Sequence, residues 1–131
     1  MTMYGLQLER QFRSEHFLIG GDWGTENDPH AHDYRIELRL YGSRLNEHGY
    51  LLDLLHVEAL LEAVVAAFHG RQLNQLEAFS GLNPSIEHFA RILALELADG
   101  LPAGHQLARL EVRLWETETA WASYQCELPC E

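Results

Sequence analysis

The sequence predicts an α+β fold: a four-stranded antiparallel sheet with two helices on one face, in the order ββααββ. Three observations carry this expectation. Tyr34, Ile36, Leu38 and Leu40 alternate with Asp33, Arg35, Glu37 and Arg39, the period-two pattern of a strand with one apolar and one charged face. Two later stripes recur at helical spacing: Leu54, Val57, Leu61, Val64, Val65 and Phe68, then Ile86, Phe89, Ala90, Leu93 and Leu97. The other strand patterns lie toward the two ends of the chain. Strands grouped apart from helices favour an antiparallel sheet with both helices on one side.

Taken in order, the segment from about Met3 to His16 has strand character around Leu6 and Leu8. A stretch rich in breakers follows, from Ile19 through Gly20-Gly21 and Gly24 to Asp28-Pro29, and leads into the strand containing Tyr34. Asp53 can cap a helix running to about Phe68, with Gly70 as its stop. Asn83-Pro84 opens the second helix, with proline in the first turn, where its missing N–H is tolerated best. Gly100 to Gly104 forms a turn-rich break. Leu110, Val112 and Leu114 alternate with Arg109, Glu111 and Arg113 as a third strand, and a turn near Thr117-Glu118-Thr119 returns the chain through Trp121-Ala122-Ser123-Tyr124 as a fourth. Such a small sheet leaves two unprotected edges, so pairing between subunits is expected.

The chain has 131 residues, which suits one domain over 1–131, and there is no repeat or linker to divide it. Nine Lys+Arg against 20 Asp+Glu give a formal charge of −11, the wrong sign for a protein that neutralises phosphates along nucleic acid. No apolar run approaches the roughly 20 residues of a membrane span, and the N-terminus lacks the charged-then-apolar order of a secretion signal. A cytoplasmic protein without nucleic-acid or membrane partners is expected. Cys126 and Cys130 both lie in the last six residues and read as free thiols on a terminal tail, in no position to staple the fold.

Histidine is the unusual entry in the composition, at 8 of 131 residues. His30-Ala31-His32 enters the clearest strand, where residues i and i+2 share a face with Cα atoms roughly 6.5–7 Å apart. Both share parity with Tyr34 and Ile36 and so extend the apolar face. His16 ends the preceding strand, and hairpin pairing would bring it alongside. Three neutral imidazoles with an open fourth position form the ligand set of a catalytic zinc; a chance surface pair of histidines is the competing reading. Glu116 shares parity with Leu110, Val112 and Leu114, so the third strand's apolar face ends in a carboxylate. Either the strand has stopped and Glu116 is a wet hairpin residue, or it grips a flat ligand with adjacent N–H groups through both oxygens.

Together these segments resemble the 6-pyruvoyltetrahydropterin synthase / 6-carboxytetrahydropterin synthase family over nearly the whole chain. The likeness runs through Phe12-Arg13-Ser14-Glu15-His16, His30-Ala31-His32-Asp33-Tyr34, Gly49-Tyr50-Leu51-Leu52-Asp53, Leu73-Asn74, Asn83-Pro84-Ser85-Ile86-Glu87 and Trp115-Glu116-Thr117. It implies the tunnelling fold, with trimers closing their strands into a barrel, often pairing into hexamers, and with active sites between subunits. It implies Zn2+ on His16, His30 and His32, and a reduced pterin anchored by Glu116 with helix-start contacts around Ser85 and Glu87.

The acid–base machinery departs from that family. Glu26 stands at the position of the family's catalytic cysteine, and His69-Gly70 stand where an Asp-His dyad is expected. Glu26 can serve as a base if its pocket raises its pKa, and His69 can act alone, imidazole being the usual acid–base side chain, although a helix C-terminus also favours histidine. His48, His56, His88 and His105 match no role and read as surface or helix-flank residues. The resemblance implies a zinc-dependent lyase acting on the C6 side chain of a reduced pterin. One version resembles 6-carboxytetrahydropterin synthase, toward queuosine. The alternatives are a glutamate-type lyase that releases 6-hydroxymethyl-dihydropterin for folate, or a pterin-binding homologue without catalysis.

Overall fold

The structure, a computed structural model, describes residues 2–130. Strands β1 (Tyr4–His16), β2 (His30–Gly42), β3 (Arg109–Trp115) and β4 (Trp121–Glu127) form one antiparallel sheet in sequence order. Helices α1 (Leu54–Phe68) and α2 (Ile86–Asp99) fall between β2 and β3, giving the expected ββααββ order. α2 packs across β3 and β4, and α1 against β1. Among the described residues no helix is long and apolar enough to cross a membrane.

Alternation along the strands decides what meets the helices. Leu8 and Phe12 from β1, Tyr34 to Leu40 at even positions from β2, and Leu110, Val112 and Leu114 from β3 are all buried beneath them. Phe89 of α2 sits at the centre, its ring 5.2–5.8 Å from those of Phe12, Tyr34, Phe68 and Phe79. The charged strand face is less wet than its sequence implies. Glu37 and Glu111 are only 5% and 3% exposed there. Arg35, Arg39 and the Trp115 indole donate to Glu37 at 3.0, 3.3 and 3.1 Å, and Arg113 donates to Glu111 at 2.7 Å. Long side chains laid along the sheet desolvate these carboxylates while supplying their hydrogen bonds.

Local signals set the helix ends, with three corrections to the sequence reading. Asp53 caps α1 by accepting from the Leu55 amide at 3.0 Å. Gly70, at φ +72°, turns the chain out of the helix in a conformation that side chains rarely adopt. Leu54, counted on the apolar stripe, is exposed instead, because the first residue of α1 overhangs the edge of the core. Pro84 is not in the first turn of α2. The Ser85 hydroxyl accepts from the His88 amide at 3.1 Å and is therefore the cap, leaving Pro84 before it in buried, non-helical backbone. The terminal cysteines are not free thiols. After β4 the chain bends at Leu128-Pro129, brings the Cα atoms of Cys126 and Cys130 to 5.5 Å, and joins the two in a disulfide.

Phe89→Ala removes the ring around which the aromatic cluster is built. It is expected to cost about 3–5 kcal/mol, read as a lower urea midpoint at unchanged m-value. A loss below about 1 kcal/mol would show that the helix–sheet interface does not depend on this ring.

A candidate metal centre at the end of the sheet

The β1–β2 pairing sets Phe12 opposite Tyr34, Ser14 opposite His32, and His16 opposite His30. These residues share the inner face, so the apolar core gives way to imidazole at the end of the hairpin closed by the loop from 17 to 29. The rings of His16, His30 and His32 lie edge to face, with centroids 4.6–4.9 Å apart. One ring nitrogen from each lies within 4.8 Å of the other two, a grouping that can hold a metal ion.

Backbone carbonyls orient two of the rings. His16 Nδ1 lies 3.0 Å from the Pro84 carbonyl and His30 Nδ1 lies 2.8 Å from that of Asp28. A carbonyl only accepts, so Nδ1 carries the proton in each ring and Nε2 presents its lone pair to the cluster. The Nε2 atoms of His30 and His32 are buried with no hydrogen-bond partner. Leaving such atoms unpaired costs free energy, and a bound cation removes that cost. The donor set therefore fits a divalent metal that accepts imidazole nitrogen.

Burial fixes the protonation of the cluster. Desolvation pushes the His16 pKa down to about 4, assisted by the charges that His32 and His30 would carry. Burial also lowers His32, against the opposing pull of Glu116. Both rings are therefore held in the neutral, ligating form. Beneath them the Tyr34 hydroxyl lies 3.5 Å from His16 Nδ1, and burial followed by the charge of Glu116 pushes its pKa up. Tyr34 is thus a neutral hydroxyl in the floor of the site. Its spacing of two residues from His32 is the sequence signal for this position, one that also fits a purely core role.

The loop from 17 to 29 walls the cluster. Asn74 exchanges two 2.9 Å hydrogen bonds with the backbone of Phe17, and Asn83 accepts from Ile19 N–H at 2.9 Å. Asn27 donates to the Leu18 and Gly21 carbonyls. Sequence alone does not reveal these bonds: the partners of Asn74 and Asn83 are backbone groups more than fifty residues away, and those of Asn27 lie across its own loop. Glu26 lies in the 3-10 turn Gly24–Asn27, exposed, and its charge is felt by His32. Trp23 packs its ring on Gly21, where a Cβ would come 2.6 Å from it, and stays exposed at the rim.

Glu116 follows the last residue of β3, as a hairpin residue would, yet its side chain turns inward. Its Oε1 lies 3.1 Å from His32 Nε2 and 3.7 Å from His16 Nε2. The start of α2 reaches the cluster through the Pro84 carbonyl. Ser85 is occupied in capping, and Glu87 is exposed on the first turn. His69 is not brought to the cluster within one chain. It caps the end of α1, exposed, and its Nδ1 accepts from the backbone N–H of Arg13 at 3.1 Å. His48 and His56 are exposed, His88 faces the Asn83 carbonyl, and His105 accepts from the Leu107 amide.

The model of the family described as 6-pyruvoyl tetrahydropterin synthase matches residues 5–127. No curated protein sequence matches the chain. Among solved structures, 6-pyruvoyl tetrahydropterin synthase of Caenorhabditis elegans has a TM-score of 0.82 at 20% identity, covering 96% of this chain and 97% of that one. The Plasmodium vivax protein of the same name has a TM-score of 0.81 at 14% identity, covering 98% and 100%. The Plasmodium falciparum protein gives the same four values. At these identities the likeness is one of fold. Two further Plasmodium vivax structures carry alanine or cysteine in place of a glutamate described as a catalytic residue.

The depressed His16 pKa makes the metal-free protein acid-sensitive. Between about 4 and 6.5 the unfolded chain binds a proton at His16 that the folded chain refuses, so stability is complete above 6.5 and falls as pH drops toward 4. The loss is on the order of 3 kcal/mol. Urea midpoints of the metal-free protein should fall over this window, and His16→Asn should flatten the fall. Equal slopes in the two proteins would show that His16 is not the group responsible.

Proposed function

Because the chain belongs to the 6-pyruvoyl tetrahydropterin synthase family, we propose that it is a zinc-dependent carbon–carbon lyase acting on the C6 side chain of a reduced pterin. The observation that carries this reading is the convergence of His16, His30 and His32, with the Nε2 atoms of His30 and His32 buried and unpaired. These three residues would hold the metal. When bound, zinc polarises a side-chain hydroxyl and lowers its pKa. The Pro84 and Asp28 carbonyls keep the imidazoles turned inward for that purpose.

Glu26 is the base in this reading, since it stands on the loop beside the cluster and acts electrostatically on His32. Its carboxylate takes the proton from the C2′ hydroxyl, and the C1′–C2′ bond breaks. The electron pair passes into the C6=N5 imine of the ring, and Glu26 returns the proton to C1′. The products are a 6-hydroxymethyl-dihydropterin and the aldehyde cut from the side chain. A single carboxylate suffices for this sequence. The glutamate described as catalytic in the Plasmodium vivax protein supports this choice. A 6-carboxytetrahydropterin product is the second reading, and it asks more proton transfers of the site. Glu116 would grip the amino-pyrimidine edge of the pterin, with Ser85 and Glu87 contributing from the start of α2.

Among the described residues no strand pairs with the outer edge of β4 or of β1, although the segment after α1 bonds to the last part of β1, with Gly70 N–H donating to the Arg13 carbonyl and Glu15 N–H to that of Arg71. Pairing of these two edges with further copies, as a trimer or a pair of trimers, would complete sites between subunits. His69, at the edge of its own chain, would then serve a site made with a neighbouring copy.

Incubation of the zinc-loaded protein with dihydroneopterin or its triphosphate, followed by mass spectrometry, should reveal the hydroxymethyl pterin; a carboxy product selects the second reading. Glu26→Gln should lower turnover by about 10²–10⁴-fold while zinc content and pterin binding persist. Substrate that is bound and left intact would identify a pterin-binding protein without catalysis. His30→Ala with undiminished zinc content would remove the metal assignment.

A further inference from the structure

We propose that Glu116 is the fourth ligand of this metal site in the pterin-free protein, and that a pterin draws it off the metal by offering its amino-pyrimidine edge. The proposal rests on the metal reading above. Its ground is the position of one carboxylate oxygen, 3.1 Å from His32 Nε2 and 3.7 Å from His16 Nε2. A tetrahedral ion with bonds of about 2.0–2.1 Å holds its ligand atoms roughly 3.3 Å from one another. The two observed separations bracket that edge length. At 3.1 Å the pair is near enough for a hydrogen bond, yet His32 Nε2 has no hydrogen-bond partner. The two atoms are thus side by side and not in line, as neighbouring ligands of a common ion are.

Charge and reach point the same way. Three neutral imidazoles leave a divalent ion with its full charge, and one half-buried carboxylate halves it. The Glu116 backbone is fixed by its N–H, which donates to the Ala120 carbonyl at 3.1 Å to close the β3–β4 hairpin. Rotation about its side-chain bonds can carry the carboxylate away from the imidazoles while that backbone stays fixed. A carboxylate at the metal cannot at the same time hold the far edge of a pterin whose C6 substituent approaches that metal. Pterin capture and the opening of the fourth position therefore become one event. Until substrate arrives, the ion is shielded from water and from stray ligands.

Cobalt(II) tests this without turnover, because its visible bands are intense in four-coordinate sites and weaken or shift when a ligand changes. Wild type, Glu116→Gln and Glu116→Ala are loaded with cobalt, and His30→Ala serves as the site control. Both Glu116 variants should bind cobalt about ten-fold or more weakly than wild type, with altered bands. Adding 6-methyl-7,8-dihydropterin, which offers the metal no side-chain oxygen, should change the wild-type spectrum and leave those of the variants unmoved. Glu116 variants with wild-type affinity and bands would overturn the fourth-ligand assignment while leaving the three-histidine site intact. A wild-type spectrum indifferent to the pterin would overturn the exchange. Cobalt binding that survives His30→Ala would instead strike down the metal reading itself, and this proposal with it.

Discussion

The pairing of β1 with β2 is the constraint on which the site depends. Two strands of 13 residues run antiparallel from Tyr4↔Gly42 to His16↔His30. Side chains alternate faces, so a slip of one residue would send His16 to the outer face while His30 and His32 stayed inside. Nothing in the histidines themselves prevents that slip. The register is held by the burial of Leu8 opposite Leu38 and Phe12 opposite Tyr34, both anchored under the helices. Core packing and site geometry are therefore one requirement: the apolar half of the hairpin positions the imidazole half.

The end of that hairpin packs three imidazoles edge to face at the margin of the core. His16 is 2% exposed, and a nitrogen there must find a partner or carry a penalty. The Pro84 and Asp28 carbonyls satisfy the Nδ1 atoms from two different stretches of chain. Pro84 is well suited because the turn before α2 leaves its carbonyl outside any helical ladder. Asn74 and Asn83, in the same α1–α2 connection as Pro84, then tie the wall loop to that connection. The irregular segments are thus held by side-chain-to-backbone bonds, which constrain a loop without the period of a helix or strand.

The fold was legible because its signals are local. Alternation from Asp33 to Leu40, the stripe from Val57 to Phe68, the cap at Asp53 and the stop at Gly70 each depend on neighbours within a turn or a few residues of strand. The misplacements have the same origin. Pro84 satisfies the rule for a first-turn proline, yet Ser85 beside it offers the better acceptor and takes the cap. Leu54 fits the stripe by spacing, but spacing carries no information about where the core ends. For the terminal cysteines, a four-residue separation allows free thiols or a closed loop alike, and the bend at Leu128-Pro129 decides.

By itself the sequence determined the order and kind of the elements, the shared face of His30, His32 and Tyr34, and the motifs that mark the family. Only the tertiary structure decided which distant groups meet: the Pro84 carbonyl at His16, the Glu116 carboxylate between His16 and His32, and the separation of His69 from the cluster. The reason is physical. Periodicity records the face that a residue shows to water or to the core, which is a property of its own segment. The direction of a hairpin side chain or of a loop carbonyl depends on segments packed against it from elsewhere in the chain.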